Sequence, residues 1–167
     1  GDDIEGEGNN AAVVSRAWRL DAQRLRCVFR HDELSDLIGF TYSKWHGDDA
    51  VAHFVAELER IARLEDGHRG RFALVALDGE NAWEHYPFNG YYFLKDLYEL
   101  LAAHASIRPC TMREWMGWRE ASLAAGEADP CGELPGLVAG SWVFGDLTTW
   151  IGSADKNRAW DLLCEAK

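Results

Sequence analysis

Residues 71–89 read RFALVALDGENAWEHYPFN, and this stretch decides the fold that the sequence predicts. It begins with an apolar run at residues 72–77, which Asp78 and Gly79 bring to an end. A short apolar run between turn residues is typical of a parallel strand that is buried on both faces. The polar residues after it therefore fall at the carboxyl end of a strand, where α/β folds gather the loops of their active sites.

The loop after this strand is dense in polar and aromatic groups, since it contains Asp78, Glu80, Asn81, Trp83 and Glu84. Such a set can donate a proton, accept hydrogen bonds from hydroxyl groups and stack on a sugar ring. Asp-Gly by itself is a common turn dipeptide, so the alternative interpretation is a plain turn. A plain turn does not require two more carboxylates, an asparagine and a tryptophan, and the loop therefore favours a carbohydrate site.

Helical and strand patterns flank this loop on both sides. A candidate strand at residues 25–30 is followed by apolar residues at helical spacing and by a helix at 51–62, which leads back to the 72–77 strand. This length is that of a βαβ crossover, so the two strands should be parallel. Ile107 marks a third, very short strand.

Three further helices are predicted from their start signals, which are Asn89-Gly90, the capping box of Thr111 and Glu114, and Asp155. On the last two of these helices we expect core tryptophans at Trp115, Trp118 and Trp160.

Composition excludes several classes of function. The net charge of −11 argues against nucleic acid or an anionic membrane as a partner, because both are polyanions. No apolar run has the length of a membrane span, and the first residues lack the pattern of a signal peptide. The four cysteines are scattered without a CxxC pair, so no metal site and no cofactor is predicted. Together with the resemblance described below, these features favour a cytoplasmic protein.

The domain organisation is predicted from length and from a change in composition. Residues 1–10, GDDIEGEGNN, are acidic, rich in glycine and poor in apolar groups. We expect residues 1–22 to form a loosely ordered N-terminal segment, although the apolar residues after residue 10 need cover. Residues 23–167 should then form a single α/β domain.

Three stretches of the chain resemble glycoside hydrolase family 57. They are FRHDELSDLIGFTYSKW at 29–45, LDGENAWEHYP with the following NGYYFLKDLYELL at 77–101, and PGLVAGSWVFGDLTTWIGSADKNRAWDLLCEAK at 135–167. They stand in the order that the family has them. The resemblance implies an α/β fold, here a partial (β/α) barrel of about three parallel strands with flanking helices, followed by a helical C-terminal part.

The resemblance also implies a chemistry. Family 57 enzymes are retaining glycosidases or glucanotransferases, of amylase type, that act on α-glucans, and their general acid/base aspartate matches Asp78. Retaining enzymes use two carboxyl groups about 5–5.5 Å apart, one as nucleophile and one as acid/base. We expect Glu80, Trp83, Trp142 and Asp36 to bind the α-glucan or oligosaccharide substrate. For Trp142, packing in the core remains open beside stacking on a ligand, and for Asp36, helix capping and surface charge remain open.

The departure from the family is as informative as the match. The family's nucleophile is a glutamate in a motif upstream of anything in this sequence, so we expect the isolated chain to be inactive. An incomplete barrel leaves an apolar face and an open edge on the first strand. We therefore expect self-association, or a cover made by residues 11–20. The alternative functions are a non-catalytic carbohydrate-binding module and a structural or protein-interaction domain.

Overall fold

A computed structural model describes residues 11–20, 25–64, 69–79, 81–141 and 144–167. The chain divides into two compact units, residues 1–133 and 134–167. Residues 1–10 and 21–22 of the predicted loose segment at 1–22 lie outside the described residues, as do two predicted site residues, Glu80 and Trp142. The predicted boundary after residue 22 stays a prediction.

The first unit has the α/β character that the sequence predicts. Its small sheet contains β1 (Trp18–Leu20), β2 (Arg26–Cys27) and β3 (Gly132–Leu134), in the order β2-β1-β3. Strands β1 and β2 are antiparallel, and Trp18 is paired with Cys27. The predicted cover is thus confirmed, because residues 11–20 supply the strand that pairs with the first predicted strand.

The second predicted strand, residues 72–77, follows the predicted direction but not the predicted burial. Arg30 and Leu74 form a parallel bridge, as a βαβ crossover requires. No longer ladder joins residues 72–77 to any described part of the chain, and most of the segment is half-buried. The prediction of burial on both faces is wrong, because the segment borders a cavity of about 580 Å³.

The helices of the first unit include α1 at Asp32–Asp36, α2 at Gly47–Ala62, α3 at Tyr91–Ala103 and α4 at Met112–Ala124. Helix α1 continues into a π-helical turn at Leu37–Thr41 and a 3₁₀ turn at Tyr42–Lys44. The predicted helices are confirmed. The predicted strand at Ile107 is wrong, because the Ile107 amide donates to His104 Nδ1 (3.0 Å) in an irregular segment.

None of the helices in the described ranges is long and apolar enough to cross a membrane.

The core lies between α1, its π-helical continuation, α2 and α3. Its buried members are Leu34, Ile38, Tyr42, Ala50, Val51, Phe54, Ile61, Tyr86, Phe93 and Leu97. Both tyrosines satisfy their hydroxyl groups within it, since Tyr86 donates to the carbonyl of Ile38 (2.6 Å) and Tyr42 Oη lies 2.7 Å from His53 Nδ1. Burial raises the pKa of Tyr86 to about 12. The hydroxyl groups of these two core tyrosines are therefore both paired.

Helix α4 begins as the sequence predicts. Thr111 Oγ1 accepts from the Glu114 amide (3.2 Å), and the Glu114 carboxylate accepts from the Thr111 amide (2.7 Å). Trp115 is buried as predicted, and its indole donates to the carbonyl of Gly70 (2.9 Å). The core prediction for Trp118 is wrong, because that side chain is 39% exposed and its ring lies against the Gly70 backbone.

The second unit contains the helix α5 (Ala154–Glu165). Ser153 caps it, accepting from the Lys156 amide (3.4 Å), so the predicted cap at Asp155 is wrong by two residues. Asp155 lies in the first turn instead, where an acidic group suits the helix dipole. Trp160 is exposed rather than buried, and its indole donates to the carbonyl of Trp150 (3.0 Å).

Candidate functional site

Three hydrogen bonds join residues 30–35 to residues 74–76, and we name this set the strand junction. The His31 amide donates to the Leu74 carbonyl (2.8 Å), and the Ala76 amide donates to Ser35 Oγ (3.2 Å). Arg30 Nε donates to the Ala76 carbonyl (3.0 Å). Only the first is a backbone ladder bond, so two side chains complete the junction.

Arg30 also holds the helix that follows it. One guanidinium nitrogen lies 2.5 Å from Asp32 Oδ1 and another lies 2.6 Å from Asp36 Oδ1. Burial lowers the pKa of Arg30 and the hydrogen bonds to Asp36 and Asp32 raise it, with a net rise. The guanidinium therefore links the first turn and the last turn of α1 to the backbone of Ala76.

Sequence reasoning missed Arg30 and Ser35, although a signal for Arg30 was present. Asp32 and Asp36 are four residues apart, which places both carboxylates on one face of α1. An arginine immediately before such a face can bond to both of them at once.

Asp78 lies two residues beyond the junction, at the carboxyl end of the parallel bridge. It is exposed to solvent. The backbone two residues before it bonds to Arg30 and Ser35 through Ala76, and the described residues do not enclose the Asp78 side chain. An exposed carboxyl on a fixed backbone can reach a bound ligand, and its predicted role as acid/base stays a prediction.

Trp83 follows Asp78 by five residues and is half-buried. Its ring centroid lies 5.3 Å from that of Tyr86 and 6.1 Å from that of Phe93, and its face covers Gly90. The indole also lines the cavity beside residues 72–77. Trp83 is thus held in one orientation by the core, and its predicted stacking on sugar stays a prediction.

Gly90 is required by this arrangement. It has φ +77° and directly precedes α3, and Phe88 and Asn89 before it also have positive φ values of 54°. A Cβ at residue 90 would lie 2.7 Å from Trp83 Cε3. Both the left-handed backbone and the close approach of the indole therefore call for glycine.

The remaining predicted site residues are placed as follows. Asp36 is half-exposed on α1 with its carboxylate on Arg30, so its role toward substrate stays a prediction. Glu84, which also belongs to the polar loop after Asp78, is exposed and lies 3.3 Å from His85 Nε2. Glu80 and Trp142 are not among the residues whose placement the structure describes.

His31 is buried at the start of α1, with only 2% of its surface exposed. Its Nδ1 accepts from the Leu34 amide (3.4 Å), so it serves as the N-cap. Its Nε2 has no hydrogen-bond partner among the described residues. Burial lowers the pKa of His31, with smaller opposing contributions from nearby carboxylates. Helix capping, rather than substrate contact, is therefore the role that the contacts of His31 show.

Among the described residues, no three histidine, cysteine or acidic side chains are grouped so that they could hold a metal ion.

Comparison with known proteins gives one match. The model of a family described as Glycosyl hydrolase family 57 matches residues 5–123, which is more than half of the chain. No curated protein matches the chain, and no solved structure matches it. The matched residues include the strand junction, Asp78 and Trp83 but end before residues 135–167.

We expect Gly90→Ala to destabilise the protein by about 1–3 kcal/mol, because alanine disfavours the left-handed backbone and its methyl group meets the Trp83 ring. Thermal unfolding followed by circular dichroism measures this loss. Gly117→Ala is the matched control, since Gly117 lies within α4 with open space around it. It should stabilise the helix by up to about 1 kcal/mol. Equal effects of the two variants would contradict the proposed contact.

Ser35→Ala should cost about 1–2 kcal/mol, because it removes both bonds of a fully buried hydroxyl and leaves the Ala76 amide without its partner. Hydrogen exchange of the Ala76 amide should become faster than in the wild type. Ser106→Ala, in an exposed loop, should change neither quantity. Unchanged exchange at Ala76 in Ser35→Ala would show that the junction does not hold this backbone.

The burial of His31 predicts a pH dependence. Its pKa is lowered in the folded state, so the unfolded chain binds the proton more readily below pH 6.5. Relative to His31→Asn, which keeps a capping acceptor but does not titrate, the wild type should lose stability as the pH falls below 6.5. The slope cannot exceed about 1.4 kcal/mol per pH unit for one proton. Urea unfolding at pH 8, 6.5 and 5 measures the difference, and parallel curves for both proteins would contradict it.

Proposed function

The chain belongs to glycosyl hydrolase family 57, and on that basis we propose that it carries the general acid/base side of a retaining α-glucan-active site. Asp78 is the proposed acid/base, which protonates the leaving glycosidic oxygen and later activates water or an acceptor sugar hydroxyl. Hydrolysis and glucan transfer differ only in whether water or a sugar hydroxyl group accepts the glycosyl group.

The observation that supports this assignment most is the position of Asp78. It lies at the carboxyl end of the parallel bridge, exposed, two residues after a backbone that Arg30 and Ser35 hold. An acid catalyst must reach the glycosidic oxygen within hydrogen-bond distance, so it needs both access and a fixed backbone. Asp78 has both.

Trp83 is the proposed sugar platform beside it. The core holds its indole in place through Tyr86, Phe93 and Gly90, and it is only half-buried. A rigid indole with an accessible part loses little conformational entropy when a sugar ring stacks on it. Asp36, Glu80 and Trp142 complete the proposed set of substrate contacts, and the substrate is an α-glucan or an oligosaccharide derived from one.

We do not propose that this chain supplies the nucleophile. The family motif that carries the nucleophile has no counterpart in this sequence, and nothing in the resemblance assigns that role to Glu84. The first unit is therefore proposed to be a segment of the (β/α) barrel of an amylase-like or glucanotransferase-like enzyme. In this view the isolated chain binds glucan without turning it over.

The test combines turnover and binding on maltooligosaccharides, using the wild type, Asp78→Asn and the matched control Asp161→Asn, which changes an exposed aspartate of α5. We expect no hydrolysis or transfer by any of the three. In the wild type, saccharide should shift the amide signals of residues 78–84 more than those of α4, because the proposed contacts lie there.

Other outcomes would contradict parts of the proposal. Turnover by the wild type and Asp161→Asn, but not by Asp78→Asn, would support the acid/base role and refute a nucleophile outside this chain. Turnover that survives Asp78→Asn would refute the acid/base role. Absence of both turnover and amide shifts would favour a structural or protein-interaction domain instead.

A further inference from the structure

Three aromatic residues outside the proposed set of substrate contacts form an exposed group, and we name Phe88, Tyr91 and Tyr92 the aromatic cluster. The ring centroids of Phe88 and Tyr92 lie 5.3 Å apart, and those of Tyr91 and Tyr92 lie 5.2 Å apart. Both pairs meet edge to face, with interplanar angles of 86° and 84°. More than half of the surface of each residue is exposed. The contacts therefore orient the rings against one another while large parts of them stay open to solvent.

The backbone at Phe88 is strained, and burial of its side chain does not offset the strain. Phe88 has φ 54° and ψ 36°, a left-handed conformation that is rare for a bulky residue. Its side chain is 74% exposed, so the fold gains little apolar burial from it. A large apolar side chain that is both strained and exposed is typical of a ligand-binding position.

The aromatic cluster is continuous with the candidate site. The Trp83 indole lies against the backbone of Gly90, which stands within the sequence of the cluster. Two successive turn bonds connect the indole to the cluster, since the Tyr86 amide donates to the Trp83 carbonyl (3.0 Å) and the Asn89 amide donates to the Tyr86 carbonyl (3.1 Å). The cluster therefore extends the aromatic surface that begins at Trp83.

The position of the cluster matches the face of a (β/α) barrel that takes substrate. Phe88 belongs to the loop that follows residues 72–77, and Tyr91 and Tyr92 belong to the first turn of the helix after that loop. In such barrels the strands pair along their edges, whereas the loops at their carboxyl ends surround the substrate. The exposure of these rings is therefore in keeping with a complete barrel and does not depend on an unpaired strand edge.

The chemistry of the cluster suits a neutral ligand that has both C–H and hydroxyl groups. Lys95, one turn further along α3, lies 3.0 Å from Glu99 and 3.5 Å from Asp96, so its ammonium group is already paired. The net charge of −11 likewise disfavours an anionic ligand. The C–H groups of a sugar ring suit the negative face of an aromatic ring. The hydroxyls of Tyr91 and Tyr92 make no hydrogen bond to a described residue and can bond to those of a sugar.

We propose that the aromatic cluster is an accessory sugar subsite, which binds glucose units of the α-glucan chain beyond those that contact Asp78 and Trp83. This inference rests on the proposed function and deepens it, because it names residues that determine the preference for chain length. Each sugar unit that stacks on the cluster adds binding free energy. Chains long enough to reach the cluster therefore bind more tightly than chains that are too short.

The probes are maltotriose and maltoheptaose, titrated into the full chain and followed by the amide and aromatic NMR signals. In the wild type, maltoheptaose should bind at least about tenfold more tightly than maltotriose, because several stacking contacts add together. Maltoheptaose should also shift the ring signals of Phe88, Tyr91 and Tyr92. Maltotriose should shift mainly the amide signals of residues 78–84.

Variants of two cluster residues test the stacking. Tyr92→Leu removes the ring that contacts the other two, so it should weaken maltoheptaose binding about three- to tenfold and maltotriose binding less than twofold. Tyr92→Phe keeps the ring and should restore most of the affinity. Tyr98→Leu is the matched control, an exposed tyrosine of α3 outside the cluster, and should change neither affinity twofold. Phe88→Gly should weaken maltoheptaose binding without lowering the temperature of thermal unfolding, because glycine adopts this backbone conformation without strain.

Four outcomes would overturn the proposal. Equal affinity for the two saccharides, with shifts at residues 78–84, would refute the accessory subsite and leave the proposed function intact. Equal weakening of both by Tyr92→Leu would show that the cluster has a structural role. Ring signals that change with protein concentration but not with saccharide would show that a second copy covers the cluster. Absence of all saccharide binding would refute the subsite together with the glucan site. Shifts confined to the cluster, with none at residues 78–84, would instead confirm sugar binding by the cluster and contradict the proposed function.

Discussion

The strand junction is the contact on which the arrangement of the candidate site depends. A parallel pair of strands normally holds its register through a ladder of evenly spaced backbone bonds. Here the described ladder is reduced to one bridge, between Arg30 and Leu74, and the next contacts come from Arg30 Nε and Ser35 Oγ. Side-chain hydrogen bonds thus take the place of further backbone bonds between the two strands. This explains how so short a pairing can hold the backbone two residues before Asp78.

A second set of contacts holds the other end of the same loop. Tyr86 donates to the Ile38 carbonyl inside the π-helical turn, and the Trp83 ring covers Gly90 at the start of α3. A π-helical turn displaces backbone carbonyls from the usual helical bonding pattern, which suits a carbonyl that accepts from a side chain. The loop after residue 77 is therefore anchored before Asp78 by the junction and after Trp83 by the core. Asp78 lies between these anchors, where the backbone is constrained but the side chain is exposed.

Local signals in the sequence predicted the elements whose causes are local. The capping box of Thr111 and Glu114 and the helical spacing of α2 and α3 are determined within a few residues of the chain, and the structure has all of them. The direction of the bridge at Leu74 also followed from the crossover length. The predictions from sequence are wrong where the burial of a residue depends on parts of the chain that are distant in sequence. The apolar pattern at residues 72–77 predicts a strand but not the cavity beside it, and the spacing of Trp115 and Trp118 cannot show that only the first is buried. The same distinction applies to the candidate site. The sequence motif identifies Asp78 and Trp83, whereas Arg30 and Ser35 act through contacts with a residue some forty positions away in the chain.

The two backbone edges of residues 72–77 differ in the hydrogen bonds that they make. On the occupied edge every bond that reaches Ala76 comes from a side chain, and such bonds are more easily strained than a full ladder. Along the other edge, Ala73, Val75 and Leu77 make no backbone hydrogen bond with any described residue. The described contacts nearest to Asp78 are thus those of the backbone that precedes it, through Ala76, rather than contacts of the aspartate itself.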